Sequence, residues 1–377
     1  MYINGIGRTK FGALTKTLPE LTYEAMLNAV EDSPLDITDI DAIFVSNFLG
    51  GPLNGQLHFN SIIASLLPSL NIPIIRIETA CASSSVALNQ AINCLEKTPN
   101  IMIVGVEKMT GTHLISPTDA IAMAGDYKND YEQGLIFPAA YALIAQQYMS
   151  TYGISHDALE QVSYINHKNA NLNPLAHFYH KDVTVEMIKQ SPRVASPLNL
   201  FDCSPLSDGA AAIIISSKKQ SDRDVKILSS RIATDTISLT QRESLTSFNA
   251  TKIASRKVYQ DTGVTPDMID ILEVHDCFTI SELLALEDLG FCRPGEAPEL
   301  IENGSILPGG EHPVNTDGGL KADGHPIGAT GLAQIYEIVT QLRGEAGKRQ
   351  VSDPKLGLTQ NIGGIGGTCG ITLMEGI

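Results

Sequence analysis

Two stretches of the chain show the same succession of amphipathic helix, short loop and buried strand. In the first, apolar residues recur at helical spacing between 23 and 30, and the apolar run 40–45 follows. In the second, the apolar run 269–274 follows a comparable helix and the loop 263–266. Spacings of three and four residues mark one face of a helix, whereas a short continuous apolar run is typical of a buried strand. The pattern therefore predicts one such helix–strand unit in each half of the chain.

The elements that come next also correspond between the two halves. A predicted strand at 74–77 runs into a helix that begins with small residues, and a glycine-rich turn at 324–331 opens a second helix. Each helix is followed by a β-rich run, at 101–107 and at 356–362. The order of elements is thus repeated, which predicts two similar α/β halves related by a pseudo-twofold axis.

One segment, 111–199, interrupts this repeat. It contains an amphipathic helix but is also rich in Asn, His and Pro, and the strand pattern resumes at 209–215. We therefore predict an N-terminal half formed by 1–110 and 200–217, an insertion at 111–199 carried by that half, and a C-terminal half at 218–377. Long insertions in compact domains are often binding loops or lids.

Composition narrows the class of protein. The 377 residues are 43% hydrophobic and 18% charged, enough to bury a large core. Lys and Arg total 26 against 42 Asp and Glu, a net charge of −16, which argues against nucleic-acid binding. No apolar run approaches the roughly 20 residues that span a bilayer, and the first residues lack the layout of a signal peptide. We expect a cytoplasmic protein without a membrane segment.

Four side chains at the ends of predicted strands or in turns have catalytic chemistry. Cys81 lies at a strand-to-helix turn, where a helix N-terminus is expected to lower the pKa of the thiol. His325 occupies the corresponding turn of the second half. His275 and Cys277 follow the strand predicted from residue 269 and alternate, so they are expected on one side of the chain. A thiol near a histidine is the usual pair for nucleophilic catalysis.

The C-terminal run 361–368 is rich in glycine, so its backbone amides can approach a ligand closely. A dinucleotide-binding fingerprint is a poor alternative, because no room for a βαβ unit follows. None of the six cysteines forms a C-x-x-C pair, so we expect no metal site and treat Cys94, Cys203 and Cys292 as small buried hydrophobes.

Together these segments resemble the motifs of the thiolase family, in the order in which thiolases have them: 78–84, 104–109, 208–212, 324–331 and 361–368. The tetrapeptide His275-Asp276-Cys277-Phe278 is similar to the sterol-carrier-protein-x type and archaeal-type branch. Other thiolases have Asn-Glu-Ala-Phe there and a second catalytic cysteine where this chain has Asn361. The resemblance implies that Cys277 supplies that thiol, with Cys369 as the competing candidate.

The resemblance implies a five-layered αβαβα thiolase fold, with the insertion as a loop domain covering coenzyme A. It also implies coenzyme A thioesters as substrates, no tightly bound cofactor, and a homodimer or homotetramer. The archaeal-type resemblance suggests two partners, a hydroxymethylglutaryl-CoA synthase and a zinc-ribbon/OB-fold accessory protein.

The activity implied is reversible Claisen condensation, or thiolysis, of 3-ketoacyl-CoA. Cys81 would carry the acyl group and His325 would take its proton. His275 and His325 would bind the enolate oxygen, Cys277 would be the acid/base, and the backbone N–H groups of Cys81 and Gly363 would bind the second oxyanion.

Three alternatives stay open at this point. A decarboxylating ketoacyl synthase uses one cysteine and two histidines but needs no base, so Cys277 argues against it. A C-acetyltransferase acting on a non-CoA acceptor within a multiprotein complex, resembling the phloroglucinol acetylating complexes, is a nearer relative. A non-catalytic lipid-binding or scaffold subunit would be expected to have lost at least one of the four site residues.

Overall fold

The computed structural model describes residues 1–111 and 114–377. The strands of this part of the chain are β1 (Tyr2–Arg8), β2 (Ala42–Ser46), β3 (Ile74–Ile77), β4 (Asn100–Glu107), β5 (Arg193–Ala195), β6 (Leu198–Asn199), β7 (Gly209–Ser216), β8 (Val225–Thr234), β9 (Ile271–Glu273), β10 (Leu356–Gly363) and β11 (Thr368–Glu375). Its α-helices are α1 (Leu18–Asp32), α2 (Gly50–Asn54), α3 (Phe59–Leu66), α4 (Ser83–Cys94), α5 (Pro117–Ala122), α6 (Phe137–Tyr152), α7 (Asp157–Ala170), α8 (Val185–Lys189), α9 (Asn249–Thr262), α10 (Thr279–Asp288), α11 (Ala297–Glu302), α12 (Gly319–Ala322) and α13 (Thr330–Leu342).

The order of strands in the main sheet shows the predicted repeat. Among the described residues, nine strands follow one another as β3-β2-β4-β7-β1-β8-β11-β10-β9. The first five belong to the N-terminal half and the last four to the C-terminal half, in which equivalent strands appear in reverse order. The halves join where β1 pairs antiparallel with β8. The counterpart of β3 in the second half is reduced to one parallel bridge between Leu272 and Val314.

The three largest cores of buried side chains define five layers. Along β4, Ile101 and Ile103 face a central core that contains α4, α13 and strands of both halves. Met102 and Val104 face the opposite side, where α1 and α3 cover the sheet. Successive residues of a strand point to opposite faces, so one strand contributes to both cores. On the other outer face, α9 and α10 pack against β10 and β11. This αβαβα arrangement confirms the predicted fold class.

The insertion packs mainly on the second half, although the sequence places it within the first. Tyr141 and Tyr148 of α6 and Val162 of α7 lie in the same core as Leu284 of α10 and Leu358 of β10. The insertion therefore bridges the two halves beside the ends of their strands. The predicted boundaries at 111 and 199 remain a prediction. In the described part of the chain, no helix combines the length and apolar character needed to cross a membrane.

Candidate active site

Cys81 lies in a tightly held turn between β3 and α4. The backbone N–H of Ala80 donates to Glu78 Oε1 at 2.6 Å, and that of Thr79 donates to Ser83 Oγ at 2.9 Å. Ser83 Oγ in turn donates to the Ala80 carbonyl at 2.5 Å. Ala80 has a φ of +52°, a left-handed conformation that disfavours residues with a Cβ and is common at functional sites. The turn holds Cys81 at the start of α4, with 6% of its surface exposed.

His325 lies between α12 and α13, in the corresponding turn of the second half. Its Nδ1 is 2.7 Å from Thr330 Oγ1, which donates its own hydrogen to the Pro326 carbonyl at 3.1 Å. The hydroxyl must therefore accept from Nδ1–H, which leaves a lone pair on Nε2. Gly328 lets this turn approach β4, since a Cβ there would lie 2.8 Å from the Val106 carbonyl oxygen.

His275 and Cys277 follow β9, which ends at Glu273 and not at 274 as predicted. The backbone N–H of His275 donates to Gln360 Oε1 at 2.8 Å. In the ring, Nδ1 is 3.0 Å from Asn361 Nδ2, and the buried Nε2 has no hydrogen-bond partner among the described residues. The thiol of Cys277 is 3.9 Å from Ser281 Oγ, and the Tyr141 hydroxyl of the insertion lowers the pKa of this thiol.

These side chains converge although they come from distant segments. Cys81 Sγ and one ring nitrogen each of His275 and His325 all lie within 4.8 Å of one another. The two imidazole rings are nearly perpendicular, at 89°, with centroids 5.1 Å apart. Within the described residues this trio is also the set that could hold a metal ion, because Zn²⁺ accepts thiolate and imidazole ligands.

A largely apolar cavity of about 250 Å³ opens onto the thiols of Cys81 and Cys277 and the ring of His325. Ile121 and Phe137 of the insertion form part of its wall. The other lining residues are Met109, Pro117, Thr118, Ile136, Pro138, Cys203, Ser204, Pro205, Leu206, Phe278, Ile327 and Gly364. A cavity lined by apolar groups with a few convergent polar ones is the usual form of a small-molecule site.

Burial controls the charge states of these groups. Desolvation, and next the proximity of Cys277, raise the pKa of the Cys81 thiol well above its usual range. Burial also raises the pKa of Cys277 to about 12. It lowers the pKa of His325 to about 3 and that of His275 well below its ordinary value. The prediction that the start of α4 would lower the pKa of Cys81 is therefore wrong, because desolvation outweighs the nearby N–H groups.

Those N–H groups belong to Cys81 itself and to Gly364, both of which face the Cys81 sulfur. Gly364 has a φ of +61° and lines the cavity, and its carbonyl accepts from the Tyr141 hydroxyl at 3.1 Å. Gly363, the glycine named from the sequence, packs so closely on Thr79 that a Cβ would lie 2.5 Å from its carbonyl oxygen. Sequence reasoning missed Gly364 and Tyr141. The glycine-rich run 361–368 was a signal that could have identified Gly364. Tyr141 had only the pattern of a core residue.

The remaining four cysteines differ in their burial and in whether they line the cavity. Cys369 is fully buried in the outer core, where its sulfur accepts from Thr251 Oγ1 at 3.5 Å, and it is not among the cavity-lining residues. Cys203, taken from the sequence as a structural residue, does line the cavity. Cys94 is exposed and Cys292 is partly buried.

Comparisons with known proteins agree with this geometry. Residues 1–219 match the family described as "Thiolase, N-terminal domain", and residues 232–375 match "Thiolase C-terminal domain-like". An acetyl-CoA acetyltransferase of Methanothermobacter thermautotrophicus is 44% identical over 98% of both chains. Sterol carrier protein 2 of Homo sapiens is 33% identical over 100% of this chain and 72% of its own length.

Solved structures show the same fold. A structure entitled "Ltp2-ChsH2(DUF35) aldolase" superposes with a TM-score of 0.87 at 24% identity, over 100% of this chain and 97% of the other. An acetyl-CoA acetyltransferase from Syntrophomonas wolfei gives a TM-score of 0.72 at 17% identity, over 99% and 98%. The family matches cover nearly the whole chain, and this protein belongs to the thiolase family.

Proposed function

We propose that this protein is a cytoplasmic acetyl-CoA C-acyltransferase that reversibly condenses two acyl-CoA molecules through an acyl group on Cys81. The observation that carries the proposal is that Cys81, Cys277 and His325 line one apolar cavity, with a ring nitrogen of His275 within 4.8 Å of Cys81 Sγ and of a His325 ring nitrogen. The acetyltransferase relative at 44% identity supports the same reaction.

In the first half-reaction, Cys81 attacks the thioester carbonyl of an acyl-CoA. The free lone pair on His325 Nε2 takes the thiol proton as the carbon–sulfur bond forms. The N–H groups of Cys81 and Gly364 face the sulfur and bind the tetrahedral oxyanion beside it. His325 then gives this proton to the departing coenzyme A thiolate, while Cys277 stays a neutral thiol because of its raised pKa.

The second half-reaction starts when Cys277 gives its thiol proton to His325, which leaves Cys277 as a thiolate and His325 protonated. The thiolate takes a proton from the α-carbon of a second acyl-CoA, and both histidines stabilise the enolate oxygen. The enolate carbon attacks the acyl-Cys81 carbonyl, and the expelled Cys81 sulfur recovers the proton from His325. The cycle consumes two acyl-CoA molecules, releases 3-ketoacyl-CoA and coenzyme A, and restores both thiols and the neutral imidazole.

The position of Cys277 favours this reaction over decarboxylating ketoacyl synthesis. In a synthase the enolate forms by loss of carbon dioxide, so no base is required beside the α-carbon. Here a second thiol faces the same cavity as Cys81, and Tyr141 is held against it. Neither a metal ion nor a tightly bound cofactor is needed for any step.

We also propose that the insertion covers coenzyme A, since Ile121 and Phe137 already form part of the cavity wall. The strand β3, which leads into Cys81, lies at the edge of the sheet, and Ile75 on it is 45% exposed. An unpaired edge strand can pair with the same strand of a second copy, which supports a homodimer, alone or within a homotetramer. We further propose an accessory subunit, which the structure entitled "Ltp2-ChsH2(DUF35) aldolase" supports. A hydroxymethylglutaryl-CoA synthase is the second proposed partner.

Acetylation of Cys81 tests the proposal. Incubation with acetyl-CoA should add one acetyl group to the peptide that contains Cys81, detected by mass spectrometry, and Cys81→Ala should remain unlabelled. Cys203→Ala is the matched control, because Cys203 lines the same cavity and is given no chemical role. An adduct on another cysteine, or none, would remove the basis of the proposed function.

A further inference from the structure

Asn361, a residue with no role in the steps above, lies directly against the ring of His275. It is near the end of β10, is fully buried, and its Nδ2 is 3.0 Å from His275 Nδ1. An amide nitrogen can only donate a hydrogen bond. His275 Nδ1 must therefore accept, which puts the single proton of the neutral ring on Nε2.

The orientation of the Asn361 amide is itself held by a neighbour. Its Oδ1 accepts from Ser85 Oγ of α4 at 2.9 Å. The pair also packs against the start of α13, because a Cβ at Gly331 would lie 2.6 Å from both Asn361 Oδ1 and Ser85 Oγ. The amide therefore lies where α4, α13 and β10 meet, with its oxygen on Ser85 and its nitrogen on the imidazole.

The preceding residue of β10 fixes the backbone beneath the same ring. Gln360 Oε1 accepts from the His275 backbone N–H at 2.8 Å, and Gln360 Nε2 donates to Thr251 Oγ1 at 3.2 Å. Consecutive residues of one strand thus hold both the main chain and the ring of His275. One nitrogen of the ring is left without a partner among the described residues, the buried Nε2.

We infer that Asn361 is a positioning residue that fixes His275 in the Nε2–H tautomer, so that this ring presents a hydrogen-bond donor to the enolate oxygen. Thr330 fixes His325 in the opposite sense, with Nδ1 protonated and Nε2 free to accept a proton. Two histidines within 4.8 Å of Cys81 are thereby made different before substrate binds, one as donor and one as base. The inference rests on the proposed function only for the identity of the oxygen that His275 binds.

The tautomer can be measured without any assay of activity. In protein labelled with ¹⁵N-histidine, the His275 resonances are assigned by their absence in His275→Gln. We expect a protonated Nε2 and an unprotonated Nδ1 at pH 7.5. A proton on Nδ1, alone or together with Nε2, would overturn the inference, because the Asn361 amide would then be reversed.

A single substitution tests the consequence for the reaction. Asn361→Asp replaces the donor with an acceptor, so Nδ1 should become protonated in the ¹⁵N spectrum. Condensation of acetyl-CoA should fall at least about 100-fold, the usual effect of losing one oxyanion donor, whereas acetylation of Cys81 should change less than about threefold. The matched control is Asn89→Asp, the same change on α4 at an asparagine whose amide nitrogen donates to the Ser230 carbonyl and whose amide oxygen accepts from Gln90. It should leave the spectrum and both rates unchanged.

The results of these experiments distinguish a failure of the proposed function from a failure of the inferred role of Asn361. If wild-type protein fails to condense acetyl-CoA, the proposed function fails while the spectrum still decides the tautomer. If Asn361→Asp protonates Nδ1 yet condenses at the wild-type rate, the positioning role is wrong. If that variant does not fold, judged by circular dichroism, the wild-type spectrum remains the deciding measurement.

Discussion

At the scale of single residues, the neighbours of a side chain determine its chemistry more than its type does. His325 and His275 lie side by side next to Cys81, and both remain neutral because burial lowers their pKa values. Thr330 donates to the Pro326 carbonyl and must accept from His325, so this imidazole can only take a proton through Nε2. That hydrogen bond gives His325 the free Nε2 lone pair that its proposed role as the base for Cys81 requires.

Replacing His325 with Ala should slow both acetylation of Cys81 and condensation by about 10²–10³-fold, since the ring serves the thiol and the enolate oxygen. Thr330→Val keeps the shape of the side chain but removes the acceptor for Nδ1–H, and should slow acetylation about tenfold. Single-turnover kinetics with acetyl-CoA measure both rates. Thr340→Val is the control on the same helix, because Thr340 Oγ1 only donates to the Tyr336 carbonyl. Normal acetylation by Thr330→Val would mean that the hydroxyl does not orient the ring.

The sequence points to Cys81, His275, Cys277 and His325 because each stands at the end of a predicted element or in a turn. Cys81 also lies next to alanine and serine residues, and His325 lies in a glycine-rich turn. Their charge states could not be predicted, since desolvation depends on packing between segments far apart in the chain. Cys203 was also missed, because a lone cysteine without a catalytic neighbour in sequence has the pattern of a buried hydrophobe.

At the scale of elements, a buried carboxylate ties the loop after β9 to the short helix α12. Asp276 Oδ1 accepts from the Leu320 N–H at 2.6 Å, and Oδ2 accepts from the Lys321 N–H at 3.2 Å and from Asn166 Nδ2 at 2.8 Å. Gly319 permits this approach, since a Cβ there would lie 2.5 Å from Oδ2. Three segments, α7 of the insertion, the loop and α12, are thereby joined beside the site.

Removing that carboxylate should destabilise the fold, because it leaves three buried donors without a partner. We expect Asp276→Ala to lower the free energy of unfolding by about 2–4 kcal/mol. Urea denaturation followed by circular dichroism measures the change. Asp267→Ala, at an exposed aspartate, should lie within about 0.5 kcal/mol of the parent. If Asp276→Ala lowers the free energy of unfolding no more than Asp267→Ala does, the Asp276 carboxylate does not hold these three segments together.

Most strands could be predicted because their apolar runs are continuous and short, and the strands at 74–77 and 356–362 are confirmed closely. The reduced third strand of the second half, with its single bridge at Val314, has no periodic pattern to reveal it. The packing of α6 and α7 on the second half was not predicted either. It depends on contacts between residues that are far apart in the sequence. One example is the stacking of Tyr141 on Phe278, whose ring centroids are 4.3 Å apart.

At the scale of the whole molecule, a strongly acidic chain buries several of its carboxyl groups. Burial raises the pKa of Glu107 and of Glu282 to about 7, and that of Asp288 to about 6. A carboxyl whose pKa is higher in the folded state binds its proton more tightly there, so unfolding releases protons. Stability contributed in this way is lost as the pH rises through the folded-state pKa. Buried histidines with lowered pKa values act in the opposite sense up to about pH 7.5, where the histidines of the unfolded chain have lost their protons.

The free energy of unfolding should therefore fall by roughly 1 kcal/mol between pH 6.5 and pH 8. Added salt should restore part of the loss, because it screens the repulsion within a chain of net charge −16. Urea titrations at fixed ionic strength across this range measure the slope. In Glu107→Gln the slope should be shallower, since one titrating group is removed. A stability that rises from pH 6.5 to pH 8 would show that these carboxyl groups are ionised in the folded protein.

The central claim is that Cys81 carries the acyl group while Cys277 moves the α-proton, and one measurement separates these roles. Cys277→Ala should still accept an acetyl group on Cys81, because acylation needs only a nucleophile, its base and an oxyanion site. It should not exchange the α-protons of acetyl-CoA with deuterated water, followed by mass spectrometry of the recovered thioester. Cys369→Ala, with its thiol in the outer core, should do both nearly as well as the parent protein. If Cys277→Ala exchanges at the parental rate, or Cys369→Ala alone loses exchange, the assignment of the acid/base is contradicted.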